Sequence, residues 1–286
     1  MTAGGDPAAL GQLLRSRRER LAPADVGLPS GLPDGRRRRT VGLRREEVAL
    51  LASLSVTYYT FLEQGRPVRP SAQVLDALSA ALRMSAAERR YLRVLAYGAD
   101  GASDTAPASS ALAWSAPPER LEPAVADLVQ RLEPFPTLVK GRRWDVLAAN
   151  PAARELFADW TAGPPGPPGP PGERNLVRWM FTADQAQEIY LEWEPEARAM
   201  LGRFRLSAAR YPDDPDVRAL IAELRRDSEH VRQWWPHHDV APIGGSGPKK
   251  LRHPRLGPIE YSHVVLAVAD HPDQTLVTYS AATTPD

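Results

Sequence analysis

Three groups of residues in this chain of 286 have types and spacings that could do chemistry. The first is cationic, most densely in the run Arg36 to Arg39. Guanidinium forks of that kind match phosphate oxygens in charge and geometry. The second, His237-His238-Asp239, holds metal-ligand types. Adjacent residues seldom converge on one ion, and no further ligand spacing supports them, so no metal is expected. The third is aromatic: Trp144, Trp179, Phe181, Tyr190, Trp193, Phe204, Trp234 and Trp235. Side chains of this type fill either a core or a small-molecule cavity.

Other signatures of catalysis fall short. Gly244-Gly245-Ser246-Gly247-Pro248 departs from the nucleophile elbow, because Pro248 stands where its last glycine belongs, and it is expected to be a flexible loop. No glycine-rich phosphate loop opens a helix after a strand. The chain has no cysteine, which excludes disulfides, thiol nucleophiles and Cys-ligated metal centres. No residue pattern names a reaction, so the expectation is a protein that is not an enzyme and carries no cofactor.

The elements that must position these residues divide by composition. Residues 1–100 hold 16 Arg or Lys against 10 Asp or Glu, net +6, whereas residues 101–286 hold 20 against 25, net −5. All seven Trp lie in the second part. Helical periodicity predicts a helix over 8–21 and a loop over 22–43. Two short helices follow, parted at Ser53-Leu54-Ser55, the second running from Val56 to Glu63 before Gly65 and Pro67 stop it. Ser71 caps a fourth helix, and the capping box Ser85-Ala86-Ala87-Glu88 opens a fifth. An all-α domain over 8–97, a linker over 98–118 and a second domain over 119–286 are expected.

The second domain mixes periods. A helix over Leu121–Leu132 precedes strands at 137–140 and 144–148. Asn150-Pro151 and Asp214-Pro215 are both N-caps with proline at the first helical position. Residues 183–211 read as helix broken at Pro195. Pro258–Val268 and Gln274–Ala281 are strands about a turn at 270–273. Strands at both ends enclosing helices predict an α+β domain with an antiparallel sheet. Gly163 to Gly172 is three Gly-Pro-Pro triplets, too few for a collagen helix, and is read as a polyproline-like insertion.

Helix, tight turn and capped second helix, with the small residue Ala49 at the crossing, make helix-turn-helix grammar over residues 44–63. Net positive charge supplies the sequence-independent part of DNA affinity. Glu47-Val48-Ala49, Leu54-Ser55, Tyr59-x-x-Leu62-Glu63-Gln64-Gly65-Arg66 and Pro70-Ser71 resemble the phage-repressor, xenobiotic-response-element helix-turn-helix family. The run from Gly42 to Arg66 is closer still to the MmyB-like transcription regulators. One departure stands out: Ser53 occupies the turn position where the family has glycine. What the resemblance implies is a base-contacting face of Thr57, Tyr58, Thr60 and Phe61, with Tyr59 buried. Phosphate contacts are implied for Arg45, Ser55, Gln64, Arg66 and Arg69. Arg37 and Arg38, in the dense run, read as an arm reaching DNA.

Val139-x-Gly141-x-x-Trp144-Asp145-Val146-Leu147-Ala148-Ala149-Asn150-Pro151 resembles the opening of a PAS-like sensory domain and of the MmyB-like ligand-binding domain. Asn175-Leu176, Trp235-x-x-His238-Asp239-Val240 and the ending from Leu251 through Gln274 continue that likeness. It implies a sensor for an apolar, fatty-acid-like effector. The expected ligand pocket is lined by Trp144, Trp179, Phe181, Tyr190, Trp193, Phe204 and Trp234, with Arg178, Arg203 and His238 as polar anchors. Expected partners are a double-stranded DNA operator, a small-molecule effector and a second copy of the chain. No stretch approaches a membrane span and no secretory leader is seen, so a cytoplasmic protein is expected. Two rival readings are a ligand-free dimerisation or partner-docking module in the second domain, and a DNA-tethered enzyme.

Overall fold

A computed structural model describes residues 5–29, 42–98, 119–157, 174–242 and 246–281. The expectations for Arg36 to Arg39, Arg37 and Arg38 among them, for most of the 98–118 linker and for the 163–172 insertion lie outside these residues. Backbone contacts divide the chain into two compact units. The first is Met1–Ala113 with Ala209–Pro212 and Trp235–Val240. The second is Trp114–Ala208, Asp213–Trp234 and Ala241–Asp286. No helix among the described residues is long and apolar enough to cross a membrane.

Among the described residues, the first unit holds five α-helices: α1 (Pro7–Arg20), α2 (Arg45–Leu51), α3 (Val56–Glu63), α4 (Ala72–Ala81) and α5 (Ala86–Tyr97). Each start has a chemical reason. The carboxylate of Asp6 accepts from the Ala9 amide at 2.9 Å, and Pro7 presets the first helical φ. Ser55, Ser71 and Ser85 each accept an amide hydrogen bond from the first turn of α3, α4 and α5. Glu88 closes the box by accepting from the Ser85 amide at 2.6 Å. Leu10, Leu13, Leu14, Val48, Tyr59, Leu62, Leu75, Leu78 and Leu92 form the core. Gly11 lets α1 and α3 meet: a Cβ there would lie 2.6 Å from the Glu63 carbonyl oxygen. Among the described residues of the stretch read as loop, Pro23–Val26 forms a 3₁₀ turn.

The second unit is an antiparallel five-stranded sheet with helices around it. Its strands are β1 (Thr137–Lys140), β2 (Val146–Ala149), β3 (Gly247–His253), β4 (Gly257–Val268) and β5 (His271–Ala281), in the order β2-β1-β5-β4-β3. Residues 247 and 248, read as loop, instead begin β3. Trp144 is not strand: it follows the turn at Arg142 and Arg143 with φ 68°, its amide bonded to the Gly141 carbonyl, and β2 starts two residues later. β5 begins at His271, inside the residues read as turn.

Period-two alternation sends Leu138, Lys140, His263, Val277 and Tyr279 to one face of the sheet and Val139 and Leu276 to the other. On that second face α6 (Pro123–Arg131) brings Val129 against Val139 and Leu276. On the first face stand α7 (Pro151–Leu156), α8 (Leu176–Thr182), α9 (Asp184–Ile189) and α10 (Trp193–Ala208), followed by α11 (Pro215–Asp227) and α12 (Glu229–Trp234). Pro195 does not break α10, because it sits in the first turn, whose amides have no intrahelical acceptor. The interruption falls at 190–192 instead, where the Leu191 amide bonds the Lys250 carbonyl of β3 at 3.1 Å. Asn150, fully buried, ties β1 to α7: its Oδ1 accepts from both Thr137 and Ala153 amides at 3.0 Å.

Candidate nucleic-acid interface and ligand cavity

The reading face of the first unit is built around one buried carboxylate. Glu63 closes α3 with a side chain 1 % exposed. Arg18 from α1 grips it with two guanidinium bonds, 2.8 and 2.9 Å, and spends a third on the Leu43 carbonyl at 2.9 Å. Arg45, at the start of α2, reaches the same carboxylate at 2.9 Å. Three helices are thereby locked in register by one residue. Burial alone would raise the Glu63 carboxyl, but the hydrogen bonds and charge of Arg18, with the hydrogen bond from Arg45, outweigh it and hold the group below the usual carboxylate range.

On that frame Thr57 is exposed, while Tyr58, Thr60 and Phe61 are half-buried. Tyr59 is fully buried. The Thr60 hydroxyl donates to the Val56 carbonyl at 2.8 Å, which leaves its oxygen only as an acceptor outward. Arg66 stacks 4.2 Å over the Phe61 ring, so ring and cation form one amphipathic patch. Ser55 caps α3 through the Tyr58 amide at 3.2 Å. Gln64, Arg66 and Arg69 are exposed, and Arg69 lies 5.4 Å over Tyr97. Arg45 keeps 41 % of its side chain exposed while paired to Glu63, so it presents a positioned rather than a free charge. Leu50, 71 % exposed, and Val56, 41 % exposed, add apolar surface to the two helices. The helical face of Val48, Leu51 and Ala52 turns Leu50 outward, a signal that sequence reasoning left unused. The turn itself has Ser53 at φ 55°, the left-handed conformation that glycine adopts without strain.

His238 belongs to the first unit and not to the aromatic cavity. Its backbone carbonyl accepts from Arg17 of α1 at 2.8 Å, and its ring lies 6.4 Å from Tyr91. The His237 carbonyl accepts from Ser16 and Arg20, both at 2.9 Å, and Asp239 pairs with Arg20 at 2.6 Å. Arg17 is buried and also pairs with Glu88 at 3.0 Å. The segment 237–239 is thus a strap held by arginines, through carbonyls and one carboxylate.

In the second unit an open-mouthed cavity lies against the inner sheet face. Trp144, Tyr190 and Tyr279 supply its aromatic wall, and Lys140, Arg203 and Lys249 its cations. Lys249 is paired with Glu196. Lys140 is not, among the described residues, bonded to any carboxylate; its ammonium lies 3.9 Å from the centroid of Trp144. Arg203 likewise has no carboxylate partner among the described residues. Burial first, then the neighbouring Arg203, pushes Lys140 down to about 7, with Glu119 opposing. His263, stacked on Tyr279 at 5.8 Å, is held below its ordinary value by burial. The Tyr279 hydroxyl is raised to about 12 by burial, and that of Tyr190 also lies well above its ordinary value for the same reason.

The expected pocket residues therefore separate. Trp144, Tyr190 and Arg203 line the cavity. Trp179, 5 % exposed, packs edge-on against Phe157 at 5.9 Å within the core. Phe204, fully buried, stands behind Trp144 at 6.2 Å. Phe181, Trp193 and Trp234 form a second aromatic cluster with centroids 6.2 Å apart, where α8, α10 and α12 meet. Arg178 is committed to Glu223 by two bonds of 2.5 Å, in a separate polar cleft with Arg143 and Asp145. Helical spacing does not say which face of an aromatic-rich helix meets the sheet, and so could not sort these groups. Lys140, Lys249 and His263 were missed; for Lys140 the alternation of β1 around Val139 was the available signal.

Comparison with known sequence families agrees with both halves. The helix-turn-helix domain family matches residues 9–92. The MmyB-like transcription regulator ligand binding domain matches residues 121–285, more than half of the chain. No curated protein sequence matches significantly. A helix-turn-helix unit followed by that ligand-binding domain is the make-up of a DNA-binding transcription regulator, and the chain belongs to the MmyB-like transcription regulators.

Proposed function

We propose that the chain is a sequence-specific, homodimeric regulator, not an enzyme, whose second unit senses a small apolar effector bearing one polar head. The observation that carries this is the pair of cations, Lys140 and Arg203, in a Trp- and Tyr-walled cavity whose lining carboxylate, Glu196, is engaged by Lys249, with no carboxylate bonded to either cation among the described residues. Two such cations in one cavity favour an electron-rich oxygen there, as a fatty-acid-like molecule would supply, while the aromatic wall takes the apolar body. The strand order β2-β1-β5-β4-β3, with helices on the inner face, supports the PAS-like reading of this unit. One reading helix covers one half-site, so a dimer on a partly palindromic operator is the working form. The effector must bind one of two dimer states more tightly than the other, since equal affinity would shift nothing. A cytoplasmic site of action follows from the DNA partner.

Native mass spectrometry of the gently purified protein, before and after organic extraction, tests this. Two chains plus a small molecule that extraction removes, and that Arg203→Ala no longer retains, is the expected result. A dimer that holds no small molecule and none from an added series of medium-chain acids would instead favour a dimerisation module.

A further inference from the structure

The chain uses lysine sparingly. Three lysines stand against 33 arginines, and two of the three, Lys140 and Lys249, line the same cavity. Their environments differ. Lys249 is neutralised by Glu196, and the third, Lys250, pairs with Glu192 at 2.8 Å on the surface. Lys140 has the Trp144 ring at 3.9 Å, Arg203 in the same lining and no carboxylate bond among the described residues. Glu119, whose charge opposes the lowering of Lys140, accepts from the Arg142 amide at 2.7 Å.

An ammonium in that position is opposed by burial and by a neighbouring cation, the two devices that turn lysine into a nucleophile. Arginine would stay protonated there, so the scarce residue type matters. Its lowered value, about 7, leaves a substantial neutral fraction at neutral pH. Tyr190, Tyr279 and His263 line the same cavity and can pass protons. Both tyrosines are held protonated at neutral pH, hence as donors.

We propose that Lys140 captures the carbonyl carbon of an apolar aldehyde or ketone effector as a reversible imine. The inference rests on the effector-pocket reading and deepens it. The nitrogen lone pair forms a C–N bond while the carbonyl π pair moves to oxygen, which takes up a proton. The carbinolamine then loses water: the nitrogen gives up its protons as the C–O bond breaks and C=N forms. The balance is amine plus carbonyl giving imine plus water, with no oxidant or reductant. Arg203 and the tyrosine hydroxyls face the oxygen that must accumulate charge and leave.

The test treats the full-length protein with octanal and cyanoborohydride, then maps the adducts by peptide mass spectrometry, with octanoate as the matched acid. One saturable alkyl adduct at Lys140, formed at least about tenfold faster than at Lys250, is expected from the difference in neutral amine. It should be lost in Lys140→Arg. An even spread over the three lysines and the terminal amine overturns the proposal, as does an undiminished saturable adduct in Lys140→Arg. Octanoate raising the melting temperature without any trapping by octanal overturns the imine and leaves the effector pocket standing. Neither molecule binding overturns both.

Discussion

Single residues set the frame of the reading face, and Glu63 does most. It is a carboxylate whose burial would be costly alone, and it is offset by Arg18 and Arg45. Glu63→Gln leaves the buried Arg18 without its counter-charge and should cost about 3–5 kcal/mol, read from the urea midpoint. The pH dependence has a definite sign. Because the folded carboxyl titrates below its unfolded value, its stabilisation is fully present above about 4.5 and is lost as pH falls through the folded value. Acid unfolding of the first unit should therefore become shallower in Glu63→Gln; an unchanged acid limb would mean that other carboxylates govern it.

At the scale of elements, the turn between α2 and α3 is where the chain departs from the pattern of its family. Ser53 adopts φ 55°, and its amide bonds the Leu50 carbonyl at 3.1 Å while the Leu54 amide bonds that of Ala49 at 2.8 Å. The turn is thus closed at both bonds despite a side chain in the left-handed region. Ser53→Gly should relieve that strain and raise stability by up to about 1 kcal/mol. A fall in thermal midpoint would show that the serine makes compensating contacts. Trp179 belongs to the same scale, since it joins α8 to the core through Phe157 and Tyr190. Trp179→Ala is expected to cost about 3–5 kcal/mol by cavity formation, measured by chemical denaturation. Loss of effector response at unchanged stability would return it to the cavity wall.

Across the whole molecule, affinity and discrimination for DNA have separate origins. Net charge of +6 over residues 1–100 is expected to set the salt-dependent term, and the hydroxyls of Thr57 and Tyr58 are proposed to supply contacts that differ between bases. Neither provides a bidentate base pairing, so discrimination is expected to be modest per residue and to draw on Leu50 and Val56 as well. Thr57→Ala with Tyr58→Ala should abolish preference for the operator over random DNA while leaving the slope of log affinity against log salt nearly unchanged. Fluorescence anisotropy over a salt series measures both. Equal loss of operator and random-DNA binding would contradict the assignment of these residues to base contact.

The sequence by itself determined what depends on near neighbours. The caps at Asp6, Ser55, Ser71, Ser85, Asn150 and Asp214 satisfy amides within three residues of themselves, so their grammar is local and the helices begin where the residues say. The buried Tyr59 beside the outward Thr57 is what the family resemblance of this stretch implied. Tertiary structure decided whatever depends on residues far apart in the chain. Pro195 could not be told from a helix breaker until the Leu191–Lys250 bond fixed the helix start after it. Trp144 and Phe204 share an edge contact, yet only Trp144 meets the cavity, because sheet register and helix packing choose which side of an aromatic pair faces open space. The cation cluster of Lys140, Arg203 and Lys249 joins β1, α10 and β3 across more than a hundred residues of chain. No local pattern encodes that convergence; the strand order of the sheet, with α10 packed against its inner face, creates it.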